Sequence, residues 1–266
     1  MNRIDTRYNE LKTQNKTALI TYLAAGYPNI TQTTEIMHSM VKAGADMLEI
    51  GVPFSDPVAD GVVIQQAYYK AIMQGTGLTQ TLASIEAFRK TDQTTPIVLM
   101  TYLNPIEIIG HDQFVEQIKN VGVDGVLVVD QPADIASPLM EKLQRQDIAA
   151  IYLIAPTTSS DRIKVITAKA QGFIYYVALK GVTGSADLTI EPIAKKVVEI
   201  KQHTDLPISV GFGIKDSQTA AAVAKIADGI IIGSELIKIL SQHENDLTQA
   251  TAELNSFLKT ICQALD

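Results

Sequence analysis

The chain has 266 residues, of which 46% are hydrophobic, with a single cysteine and a formal net charge of -7. That length suits one large barrel-type domain or two small ones, with enough apolar material to bury a core. The acidic balance and the lack of a basic run argue against a nucleic-acid or membrane patch. Cys262, standing alone, gives neither an internal disulfide nor a cysteine zinc site.

A small anionic substrate remains compatible with this charge, because backbone N–H groups bind phosphate without net positive charge. The N-terminal stretch is polar and mixed in charge, unlike a signal or transit peptide, and no apolar run reaches membrane-spanning length. A cytoplasmic location is the expectation. The histidines His38, His111, His203 and His243 are scattered in polar contexts. They are expected to be solvated and not metal ligands, so no metal is expected.

In chain order, residues Asn2 to Lys12 suggest a helix that plugs the bottom of a barrel. Short apolar, β-branched runs then recur at Ala18–Ala24, Met47–Val52, Ile97–Tyr102, Gly125–Asp130, Ala149–Ile154, Phe173–Ala178, Pro207–Phe212 and Gly229–Ser234. Near-continuous apolar character suits parallel strands covered on both faces. Helical patterns with polar faces lie between them. Three units end in glycine just before the next strand (Gly44, Gly122 and Gly172), which fits a left-handed helix C-cap and a tight loop. Eight such units predict a single-domain (β/α)8 TIM barrel spanning residues 1–266, with a doubly wound open sheet as the weaker alternative. Two connections are long, Pro53 to Pro96 and Leu179 to Pro207. Barrel enzymes keep their chemistry on the loops at the C-terminal ends of strands.

The first of those loops begins within "LEIGVPFSDPVADG", Leu48 to Gly61. Strand alternation sets Leu48 and Ile50 on one face and Glu49 on the other. An interior glutamate would be desolvated and raised in pKa, as suits a group that gives and takes a proton near neutral pH. An ion pair with a neighbouring strand is the bland alternative. Asp56 and Asp60 are ordinary turn residues taken singly. Between Pro53 and Pro57, though, they could be presented in fixed geometry where positive charge develops. Gly211 to Gly213 ends the seventh strand, and Gly233 with Ser234 opens a short helix after the eighth. That pairing resembles the phosphate site of barrel enzymes. "GVTG", Gly181 to Gly184, could add N–H donors from a mobile lid. Tyr22, Tyr102, Tyr175 and Phe212 fall near strand ends, where core packing is the default; together they would also suit a flat aromatic substrate.

These motifs, with "MTYLNP" at Met100–Pro105, "GFGI" at Gly211–Ile214 and "GSELIKIL" at Gly233–Leu240, closely resemble the tryptophan synthase α subunit family over essentially the whole chain. The resemblance implies retro-aldol cleavage of indole-3-glycerol phosphate to indole and glyceraldehyde 3-phosphate, with no metal and no organic cofactor. By motif position, Glu49 would be the general acid/base, Asp60 would accept from the indole N–H, and Tyr175 would position the glycerol chain. Gly184, Gly213, Gly233 and Ser234 would hold the phosphate. Tyr22, Ile64, Met100, Leu127 and Phe212 would line the indole pocket, and Thr183 would meet Asp60 on loop closure.

The resemblance also implies a β-subunit partner in an αββα heterotetramer, carrying the pyridoxal phosphate and receiving indole through a tunnel. Asp56, Pro57, Asn104 and Pro105 match partner-facing positions. Two departures stand out. Ala178-Leu179 replaces the Ser-Arg of many members, and Tyr22 replaces a common Phe, adding a hydroxyl that needs a partner. A self-sufficient lyase and a catalytically idle regulatory barrel are the competing expectations; an intact Asp56-Pro57 speaks against the first, and the presence of both Glu49 and Asp60 against the second.

Overall fold

A computed structural model describes residues 2–135, 137–178, 190–211 and 213–265. The chain runs α1 (Arg3–Thr13), β1 (Ala18–Ala24), α2 (Thr33–Lys42), β2 (Met47–Gly51), α3 (Val62–Met73), α4 (Leu78–Arg89) and β3 (Ile97–Thr101). It continues with α5 (Leu103–Ile109), α6 (His111–Asn120), β4 (Gly125–Val128), α7 (Pro138–Arg145), β5 (Ala149–Ile154), α8 (Ser160–Lys169) and β6 (Ile174–Val177). It closes with α9 (Ile190–Lys201), β7 (Ile208–Gly211), α10 (Ser217–Ala224), β8 (Gly229–Ile232), α11 (Ser234–Gln242) and α12 (Leu247–Leu265). The eight strands pair in sequence order, all parallel, and β8 pairs back onto β1. The barrel is closed, so the open-sheet alternative is excluded.

All eight expected strands are present, several ending one or two residues early because their last residues turn into the βα loops. The extra length between β2 and β3 is two helices, α3 and α4. Strand alternation divides the apolar residues into two layers. Leu48 and Ile50 pack outward against the helices, while Met47, Ile20, Val98, Leu127 and Ile151 fill the barrel.

The N-terminal helix plugs the bottom as expected. Ile4, Tyr8 and Leu11 belong to the interior cluster, and the Tyr8 hydroxyl bonds to Ser209 Oγ at 2.5 Å. Asn2 caps α1 by accepting from Ile4 N, and its amide donates to the carbonyls of Asp124 and Asp147.

Three aspartates repeat one device at this end. Asp46, Asp124 and Asp228 each stand just before a strand, and each accepts an N–H at the start of the strand before it, from Leu19, Ile97 and Ile208. Asp124 is also buried between Arg3 and Arg89. These carboxylates belong to barrel closure.

Gly44 and Gly122 take positive φ directly after the C-caps of α2 and α6, as expected. Gly172 also has positive φ (+72°), but α8 ends in an extended Ala170 two residues earlier, so Gly172 shapes the loop and does not cap the helix. No described helix is long and apolar enough to cross a membrane.

Candidate active site

The C-terminal mouth of the barrel gathers the acidic residues of the opening loop. Glu49 lies inside the barrel on β2, in register with Tyr22 on β1 and Val98 on β3. It is 2% exposed, and neither carboxylate oxygen has a hydrogen-bond partner among the described residues. The ion-pair alternative therefore fails. A buried carboxylate with no donor loses hydration and gains nothing in exchange, which favours the neutral acid. Burial first, and the nearby Asp60 charge second, push Glu49 up to about 8. At neutral pH it is mainly a carboxylic acid with a proton to give.

Asp60 is held by a different arrangement. Tyr102, one residue beyond β3, donates from its hydroxyl to Asp60 Oδ2 at 2.6 Å and accepts from Ala59 N at 3.1 Å. Phe54 stacks on the Tyr102 ring, with centroids 5.0 Å apart. Gln65 Nε2 donates to the Asp60 carbonyl at 2.8 Å. Burial raises Asp60, and the Tyr102 bond opposes it. The side chain of Asp60 thus points into the site and is not spent on its turn. Asp56 is exposed and accepts from its neighbour Ser55 at 2.5 Å. The two aspartates of one loop have separated, one inward and one outward.

Tyr175 sits inside β6, and its hydroxyl is raised well above its ordinary value by burial, then by the charges of Glu49 and Asp60. Met100 and Leu127 are paired across β3 and β4 in the interior, and Ile64 is half-buried on the first turn of α3. Tyr22 closes the wall beside Glu49, and its extra hydroxyl is satisfied by donating to Tyr68 on α3 at 2.8 Å.

After β8, on the side of the mouth next to Tyr22, Gly233 forms the N-cap of α11 with no side-chain cap, so the first N–H groups of that helix, beginning at Ser234, keep their capacity for an anion. Gly213 has φ +56° with open space where a Cβ would stand. Thr183, Gly184 and Phe212 lie outside the described residues, as does Leu179 of the Ala178-Leu179 departure. Asn104 and Pro105 fall in the first turn of α5, where a proline costs no helical bond. Asn104 is exposed and Pro105 half-buried, on the same face as Asp56 and Pro57.

The histidines correct one expectation: each is half-buried and none is simply solvated. His38 stacks on Phe88, while His111 and His243 meet Glu107 and Glu253. No group of metal-ligating side chains occurs among the described residues. Sequence reasoning missed Tyr68 and took Tyr102 for core packing. Tyr68 follows Ile64 by one helical turn on the same face of α3, a spacing that could have found it.

The family profile described as "Tryptophan synthase alpha chain" matches residues 8–266. The chain is 47% identical over 266 residues to the tryptophan synthase alpha chain of Nitrosococcus oceani, covering all of this chain and 98% of that one. It is 45% identical to the corresponding chain of Marinobacter nauticus, with the same coverage. This chain belongs to the tryptophan synthase alpha chain family.

The crystal structure of tryptophan synthase subunit alpha from Legionella pneumophila superposes with a TM-score of 0.93 at 39% identity, covering 100% and 99% of the two chains. Tryptophan synthase from M. tuberculosis in its aminoacrylate-bound form superposes at 0.89 with 28% identity. The reaction of the tryptophan synthase alpha chain is cleavage of indole-3-glycerol phosphate, and this chain is a carbon–carbon lyase subunit of tryptophan biosynthesis.

Proposed function

We propose that the cleavage runs on Glu49 and Asp60, with the remaining mouth residues holding substrate. Indole is a poor leaving group as a carbanion, so C3 must be protonated before or as the bond breaks. Glu49, mainly neutral at pH 7 and without a hydrogen-bond partner among the described residues, supplies that proton. Positive charge then spreads to the indole nitrogen, where the Asp60 carboxylate accepts the N–H. The Glu49 carboxylate takes the proton from the hydroxyl on the chain carbon bonded to C3. That carbon becomes the aldehyde of glyceraldehyde 3-phosphate, and the electrons of the broken C–C bond restore the indole. The proton balance closes on Glu49, and the step calls on no further cofactor.

Tyr175 positions the glycerol chain. Gly213, Gly233, Ser234 and, in the outer loop, Gly184 hold the phosphate through backbone and hydroxyl donors. Tyr22, Ile64, Met100, Leu127 and Phe212 line the indole pocket, and Thr183 meets Asp60 when the loop closes. The observation that carries this reading is the buried carboxyl of Glu49, without a partner among the described residues and raised further by the charge of Asp60.

The outer rim supports a protein partner. Val58, Ile108 (on α5) and Ile135, in the successive connections after β2, β3 and β4, are 83%, 78% and 58% exposed. Three apolar side chains around Asp56, Pro57, Asn104 and Pro105 suit a β subunit in an αββα assembly, which would carry the pyridoxal phosphate and take up indole. The setting is the cytoplasm. The test is release of glyceraldehyde 3-phosphate and indole from indole-3-glycerol phosphate, with and without a cognate β subunit. Absence of product in both cases would overturn the assignment. Full activity without any response to the partner would leave the lyase and remove the assembly.

A further inference from the structure

Tyr102 is a buried side chain that touches Asp60, and the cleavage step leaves it unused. It stands one residue beyond β3, where the ladder runs on past the strand on both sides. Val52 N donates to the Met100 carbonyl at 2.8 Å, and Val129 N to the Thr101 carbonyl at 2.9 Å. The next residue is tied as well, Leu103 N donating to Asp130 Oδ1 at 2.8 Å. Tyr102 is therefore a fixed post on the barrel rim. The acidic loop is fastened to it at both ends. Phe54 stacks on the ring at the start of the loop. At its end, Ala59 N donates to the Tyr102 hydroxyl at 3.1 Å, and that hydroxyl donates to Asp60 Oδ2 at 2.6 Å. Accepting from an amide while donating to a carboxylate strengthens both bonds. The loop's own N–H thus supports the loop's own carboxylate through a tyrosine from another strand. A turn needs none of this, because Asp60 N already closes the turn on the Pro57 carbonyl at 3.0 Å.

We propose that Tyr102 is a positioning residue for Asp60: its hydroxyl holds Oδ2, fixes the direction in which the carboxylate faces the barrel mouth, and leaves Oδ1 for the indole N–H. The inference rests on the role of Asp60 in the proposed reaction. The same bond favours the ionised carboxylate. The titratable groups around Asp60 are Tyr22 from β1, Glu49 from β2, Tyr68 from α3, Tyr102 from the end of β3 and Tyr175 from β6. None of these is a cation, and among the described residues Tyr102 alone donates a hydrogen bond to the carboxylate. Two neighbouring carboxyl groups in a buried site cannot both ionise cheaply. A donor on Asp60, and none among the described residues on Glu49, assigns the charge to Asp60 and the proton to Glu49. Burial, and then Asp60 itself, raise the Tyr102 hydroxyl above its ordinary value, so it keeps its hydrogen through the working pH range.

The test uses Y102F, D60N and the double variant, read in two ways. Y102F removes the hydroxyl and keeps the ring under Phe54. With Glu49 intact, kcat/KM for indole-3-glycerol phosphate is measured. Losing a hydrogen bond to a charged group predicts that Y102F lowers it about tenfold. In the D60N background Y102F changes it by less than about threefold, because Tyr102 acts through the Asp60 carboxylate. A tyrosine that only held the fold together would give losses that multiply. Separately, the Asp60 carboxyl is titrated by 13C NMR in the substrate-free protein. An E49Q background leaves a single carboxyl titrating in the site, and D60N assigns the signal. Y102F raises the Asp60 midpoint by about one pH unit. Should Y102F fail to fold, the 13C signal of Tyr102 Cζ in the E49Q protein reads the same bond, moving as Asp60 titrates. An unmoved Asp60 midpoint, losses that multiply, or a Tyr102 signal indifferent to Asp60 overturns the proposal. A wild type that cleaves no substrate while Y102F still shifts Asp60 would refute the assigned reaction and leave the Tyr102–Asp60 tie standing.

Discussion

Replacing Glu49 by Gln keeps the shape of the protonated acid and removes its proton. Glu49 is buried and has no donor among the described residues, so the substitution breaks no hydrogen bond there. Folding raises the pKa of Glu49 from 4.5 to about 8. At 1.36 kcal/mol per unit, that shift corresponds to roughly 5 kcal/mol against the ionised form, an upper bound once the site admits water.

The sign follows from proton counts. Between pH 4.5 and about 8 the folded chain holds more protons at this position than the unfolded chain, so this contribution to stability falls as pH rises. Below 4.5 it vanishes; above about 8 it is a full penalty. Glu49→Gln should therefore match the wild type in urea unfolding near pH 4.5. It should become more stable by several kcal/mol at pH 9. Its turnover should fall at least about 1,000-fold, within the usual range for loss of a general acid. Substrate affinity should hold within a few-fold. A stability difference that does not grow with pH, or turnover within tenfold of wild type, would refute the reasoning.

The same titration predicts that kcat/KM declines above pH about 8 as Glu49 loses its proton, and a flat profile to pH 10 would exclude it as the acid. Asp60→Asn should slow cleavage by about 100-fold or more while Tyr102 stays in place, and unchanged kinetics would return Asp60 to a turn role. Gly51→Ala places a methyl against the Tyr22 and Tyr68 hydroxyls and should cost about 1–3 kcal/mol in urea unfolding. Ile108→Asp, on the exposed rim, should reduce stimulation by the β subunit and leave cleavage by the isolated chain within about twofold, as an exposed substitution normally does.

Much of the barrel was legible because its signals are local. Apolar runs fixed the eight strands, and glycines at positive φ marked the returns at Gly44 and Gly122. Alternation alone put Glu49 opposite Leu48 and Ile50, but left open whether it faced the interior or the helices. Only closure of β8 onto β1 makes that face an enclosed interior. What stayed hidden depends on contacts across long stretches of chain. Tyr102 looked like packing because its bond to Asp60 joins the end of β3 to the loop before α3, 42 residues away in sequence. Tyr68 was missed because its partner, Tyr22, lies 46 residues away. The aspartates Asp46, Asp124 and Asp228 look like helix-to-strand turns in sequence. Each instead clamps the strand before it, a role defined by register.

The proposed cleavage turns on a glutamic acid that keeps its proton at neutral pH in the mouth of the barrel. Titration of the Glu49 carboxyl by 13C NMR in the substrate-free protein, assigned by loss of the signal in Glu49→Gln, measures this directly. The structure predicts a midpoint near 8, moving down when Asp60→Asn removes the neighbouring charge. A midpoint near 4.5, or one indifferent to Asp60, would contradict it.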